Sequence, residues 1–137
     1  MNLFRKWLAL ALALCLCAAG IAALADGLDR PERFLGTWEG GEDYGETREY
    51  YLEILDYSDG VFEVALDIYR IWAFDGMTAI LMEDSPSAAL ATAVDDEYSI
   101  MGTLDFSDSG IDLLVLESDY PDLPADALIH FEPSSLD

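Results

Sequence analysis

The sequence predicts an all-β fold, a single antiparallel meander of seven to eight strands closing into a small barrel, with a β-sandwich as the alternative. Three observations carry this. Apolar residues recur with period two, as at Tyr50, Leu52 and Ile54 or Phe62, Val64, Leu66 and Ile68. Turn-forming pairs such as Asp59-Gly60, Asp75-Gly76 and Ser109-Gly110 punctuate these runs. No repeat, low-complexity block or interdomain linker interrupts them.

The chain begins with a segment of another kind. Arg5 and Lys6 precede an uncharged stretch from Trp7 to Ala25, and Ala23-Leu24-Ala25 places small residues at both positions a signal peptidase reads. This predicts a signal-peptide helix over residues 1–25, cleaved near Ala25, and one secreted domain over residues 26–137. An Ala-rich leader of this kind fits a bacterial source. The alternative is a membrane anchor through residues 7–25, a length close to that of a bilayer span. Lipidation at Cys15 or Cys17 is disfavoured because Leu14 and Leu16 stand where a small residue is needed. These two are the only cysteines, so the domain itself has none to pair.

Next, "LDRPERFLGTW" predicts a short helical turn with Pro31 near its start and Gly36 at its end. "YYLEIL" (50–55) is a strand, "DYSDG" (56–60) a turn, and "VFEVALDIYRIWAF" (61–74) one long strand. Fourteen residues exceed the usual strand length, so a bulge or bend is expected near Arg70. "FDGM" predicts a hairpin returning through residues 77–82. "AALATAVD" is read as a strand, although its alanines also suit a helix. Residues 99–106 and 111–118 flank a "SDSG" hairpin, "DYPDLPAD" (119–126) is a proline-stiffened loop, and residues 127–132 make the last strand.

Charge narrows the partners. The chain has 28 acidic residues against six basic ones, a net charge of −22. Arg5 and Lys6 belong to the leader, so the domain keeps only Arg30, Arg33, Arg48 and Arg70. An apolar interior under an acidic shell follows. That shell repels phosphate backbones and anionic headgroups, which argues against nucleic acid and against membrane-surface binding by the domain. It suits divalent cations or a basic protein partner, and it also serves solubility.

A helical turn, Gly36-Thr37-Trp38 on the first strand and then a run of hairpins resembles the calycin superfamily of lipocalins, fatty-acid-binding proteins and avidins. The resemblance implies a barrel plugged at one end by Trp38, with a small apolar or amphipathic ligand held inside. In that family a basic residue on the last strand usually packs across the tryptophan; here no Arg or Lys follows Arg70, and the last strand offers only His130.

Catalytic chemistry finds little to use. A Ser-His-Asp triad would need His130, the only histidine, and no G-x-S-x-G elbow presents a nucleophile. Cysteine catalysis and Cys/His metal sites lack their residues, and no lysine follows Lys6. Carboxylates are too abundant for a pair to stand out. "DFSDSGID" (105–112) is spaced partly like a calcium loop, but Leu116 stands where the closing glutamate belongs, so a hairpin is the better reading. No cofactor, metal or catalytic residue is assigned, and the chain is read as non-enzymatic.

Two functions remain. As a carrier, the barrel would hold a small apolar ligand against Trp38, Phe62, Arg70, Trp72 and Phe74. As an extracellular interaction module, it would have a filled core and bind through its acidic surface or an exposed strand edge. Arg70, a charge on an apolar face, needs an acidic partner in either case.

Overall fold

The computed structural model describes residues 28, 30–69 and 71–134. The predicted leader and Arg70 lie outside the described residues. A 3-10 turn, Pro31–Phe34, leads into eight strands: β1 Gly36–Asp43, β2 Arg48–Ser58, β3 Val61–Ile68, β4 Trp72–Leu81, β5 Ser87–Ala91, β6 Ile100–Ser107, β7 Gly110–Ser118 and β8 Leu128–Pro133. Each strand pairs with the next, and β8 returns to β1, so the meander closes into an antiparallel barrel rather than a sandwich. The 3-10 turn and the β2–β3, β4–β5 and β6–β7 turns mark its lower end. The other connections mark its upper end.

The alternation read from the sequence is the inside–outside alternation of the barrel. Tyr50, Leu52 and Ile54 of β2, all of the even residues from Phe62 to Ile68 of β3, and Ile111, Leu113 and Val115 of β7 are buried. Of the ambiguous alanine-rich segment, residues 88–91 lie in strand β5 with Ala88 and Leu90 inward, while residues 92–95 lie in the turn beyond it. Alanine suits this position because the strand faces a crowded interior.

Two local expectations are corrected. Residues 61–74 are two strands: β3 ends at Ile68 and β4 starts opposite it at Trp72. The Ile71 N–H donates to the Ile68 carbonyl at 2.7 Å across the reversal. Three residues separate the strands, so the even positions stay inward on both sides and the pattern hides the turn. Asp75-Gly76, expected to be the hairpin, is instead a bulge within β4. Val64 stands opposite Met77 and Leu66 opposite Phe74, which leaves two residues facing Ala65. Gly76 takes φ 73°, a left-handed conformation that a side chain would strain. The bulge moves the inward set from Trp72 and Phe74 to Met77, Ala79 and Leu81.

The 3-10 turn also ends differently from expectation. Leu35 caps it by donating its N–H to Glu32, and Gly36 already belongs to β1. Among the described residues, no helix is long and apolar enough to cross a membrane.

Candidate functional site

The four candidate residues that the structure describes do not converge on one site. Trp38 sits towards the lower end, where the 3-10 turn folds under the barrel. Its indole Nε1 donates to the Phe34 carbonyl at 2.9 Å, and the two rings stack at 5.9 Å. Phe34 packs on Phe106 at 4.9 Å, Phe106 on Phe62 at 5.0 Å, and Phe62 on Tyr57 at 4.8 Å. Trp38 and Phe62 thus belong to one chain of rings that plugs the lower end. The basic group near it comes from the 3-10 turn: the Arg33 guanidinium lies 4.9 Å over the Phe34 ring and 3.4 Å from Asp108.

Trp72 and Phe74 form a second plug at the upper end. Trp72 meets Tyr98 edge-on at 5.0 Å, and Phe74 meets Tyr120 edge-on at 5.6 Å. Tyr98 and Tyr120 are 5.0 Å apart, which closes the group. The Tyr120 hydroxyl is buried without a hydrogen-bond partner. Burial pushes its ionisation above the ordinary tyrosine range, and the charge of Asp122 adds to the effect. The fifth candidate, Arg70, lies outside the described residues.

Between the plugs, side chains occupy the interior. Leu52, Phe62, Val64, Leu66, Met77, Ile100, Leu104, Ile111, Leu113 and Phe131 have 0% exposure. A side chain with no accessible surface adjoins no water-sized space, inside the barrel or out. Eight strands give a barrel just wide enough for its side chains to fill, which matches this packing.

The outer surface is different. One groove of about 470 Å³ runs over β2, β3 and β4 at the upper end, lined by Arg48, Tyr51, Asp67, Ile71 and Trp72 among others. Among the described residues, Trp72 is the one sequence candidate on its wall. The Asp67 carboxyl there is raised above its ordinary range by partial burial first and by Asp75 second. A second groove of about 530 Å³ lies where β1 leaves β8, with Arg48 again on its wall beside Glu49, Tyr50 and Leu128–His130.

Arg48 links the two grooves. From β2 it reaches Glu132 of β8 at 2.9 Å, Glu39 of β1 at 3.5 Å and the Gly41 carbonyl at 3.0 Å. The hydrogen bond to Glu132 holds its guanidinium above even its usual basicity, despite partial desolvation. Sequence reasoning passed over Arg48, Glu39 and Glu132. The signal was the scarcity of bases, but the partners lie 9 and 84 residues from Arg48, beyond any local pattern.

Other polar side chains pair across neighbouring strands and turns. His130 Nδ1 lies 2.6 Å from Asp112, its partner across β7 and β8. The 105–112 segment is a hairpin: Ser107 stands opposite Gly110, Ser107 bonds Ser109, and Asp105 accepts from Ser87. Among the described residues, no group of three or more His, Cys, Asp or Glu side chains is placed to hold a metal ion. No family model, no curated protein and no solved structure matches this chain.

Proposed function

We propose that this chain is a secreted, non-enzymatic barrel of calycin-like layout whose interior is structural, and that it binds a basic protein partner through its acidic outer surface. One observation carries the reading: ten inward-facing side chains have no accessible surface, and aromatic clusters plug both ends. Ligand pockets start at about 300 Å³. Among the described residues, volumes of that size occur as grooves on the outside, with the Arg48 clamp on the wall of both. The net charge of −22 selects a cationic partner and disfavours nucleic acid and anionic membrane surfaces.

The test is a pair of titrations of the purified chain, one with decanoate and one with poly-L-lysine, followed by tryptophan emission and calorimetry. The reading expects no saturable decanoate complex and a poly-lysine complex that weakens as salt rises. A stoichiometric decanoate complex, or no association with poly-lysine at low salt, contradicts it.

A further inference from the structure

The barrel closes through a partial seam. β1 and β8 share only three registered pairs, Trp38–Pro133, Glu39–Glu132 and Gly40–Phe131, whereas β7 and β8 continue up to Leu114–Leu128. Among the described residues, no β1 residue stands opposite His130, Ile129 or Leu128. The upper half of β8 therefore has a sheet neighbour on one side alone.

Two side chains of β2 explain why β1 turns away. The Arg48 guanidinium takes the Gly41 carbonyl at 3.0 Å, and the Glu49 carboxylate takes the Glu42 N–H at 3.1 Å. Gly41 sits in the bulge that separates Gly40 from Asp43, at φ 77°. Its backbone lies so close to Tyr50 and Glu49 that a β-carbon would collide with both. The Gly41 carbonyl, next in line for the ladder along β8, is thus engaged by β2.

What remains on β8 is a strand edge. The Ala127 carbonyl accepts from the Val115 N–H on the β7 side at 2.9 Å, so alternation turns the N–H and carbonyl of Leu128 towards the seam. The Leu128 side chain is 69% exposed, more than any other large apolar residue of the barrel. The 530 Å³ groove lies along this edge.

We propose that the β1–β8 seam is a strand-addition site, in which an extended, Lys- or Arg-bearing segment of a partner protein pairs with Leu128–His130. This rests on the outer-surface reading above and locates it. Main-chain pairing would supply the affinity, as in other edge-strand recognition. Charge selects the occupant: Arg48 and Glu132 on the groove wall pair with each other, which leaves the Glu49 carboxylate beside them and the chain's net charge of −22 to favour a cationic segment. A second copy of this chain would bring another net charge of −22 to the same edge and be repelled.

The test uses the full chain and a peptide of about six residues, the usual strand length, alternating Lys and Val. Its partner reagent is the same peptide N-methylated at alternate residues, with its charge intact and the donors of one edge removed. Binding is followed by calorimetry and amide hydrogen exchange. The proposal expects protection confined to Leu128–His130 and affinity at least roughly tenfold weaker for the methylated peptide. Leu128→Pro removes one seam-facing donor at an edge, where proline is tolerated, and should weaken the unmodified peptide likewise. The methylated peptide gives its answer on the unaltered chain even if that variant fails to fold. Equal affinity for both peptides, or protection elsewhere on the surface, overturns the seam and leaves the acidic-surface reading standing. No binding of either peptide overturns both. Concentration-dependent protection of Leu128–His130 without peptide would identify a second copy as the occupant and also overturns the proposal.

Discussion

Arg48 and Glu132, on strands that are not neighbours, meet at 2.9 Å across the strand between them. That strand, β1, contributes Glu39 to the same guanidinium. The three residues tie β2, β1 and β8 together at the barrel's shortest ladder, the three registered pairs of β1 and β8. Arg48→Met keeps much of the stem and removes the charge, leaving the largely buried Glu39 carboxylate with the Ser134 hydroxyl but without its cation. The expected loss is about 1–3 kcal/mol, the cost of orphaning a partly buried charged group. Denaturant unfolding measures it, and Glu132→Gln should cost less because Glu132 is 55% exposed.

Trp38 holds the 3-10 turn against the lower end. Trp38→Ala should cost about 3–5 kcal/mol through the cavity left beneath Phe34. Trp38→Phe keeps a ring but leaves the Phe34 carbonyl without its donor, and should cost about 1–2 kcal/mol. Equilibrium unfolding of both variants separates packing from the hydrogen bond.

At the opposite end, Tyr120 carries a buried hydroxyl without a partner. Tyr120→Phe deletes the unsatisfied group and keeps the ring contacts with Phe74 and Tyr98. Stability should rise by about 1 kcal/mol. A fall of similar size would mean the hydroxyl is satisfied, and would be seen in the same unfolding curves.

Asp67 gives a pH signature. Its folded carboxyl is raised, through partial burial and then Asp75, so protonation favours the folded state. The fold has its full stability below the ordinary carboxylate range and loses some as pH rises through the raised value. Asp67→Asn should therefore raise the melting temperature at pH 7 and leave it unchanged near pH 3. The effect should be small because the side chain is exposed. Melts at the two pH values provide the check.

The fold was legible where local chemistry decides it. Period-two alternation located Phe62, Val64, Leu66 and Ile68 on one face, whereas the strand holding Ala88 and Leu90 was ambiguous, its alanines favouring a helix and Thr92 and Val94 a strand. Alternation misled where a turn preserved the phase: Ile68 and Trp72 are both inward, so β3 and β4 read as one strand. Asp75-Gly76 shows the converse, since its left-handed glycine serves a bulge as readily as a hairpin. The four aromatic site candidates were recognisable as inward-facing, but which end each occupies depends on closure. Trp38 and Trp72 fall in opposite plugs for that reason. The Arg48 clamp and the open half of the β1–β8 seam depend on contacts between the first and last strands, which no window of sequence contains.

Native mass spectrometry of the protein, purified gently from its own host, tests the central claim most directly, because it reads what the barrel carries. A filled interior predicts a bare polypeptide mass, with any bound partner a protein that dissociates as salt rises. A stoichiometric small-molecule adduct, retained through purification and lost on denaturation, would contradict it and make the barrel a carrier.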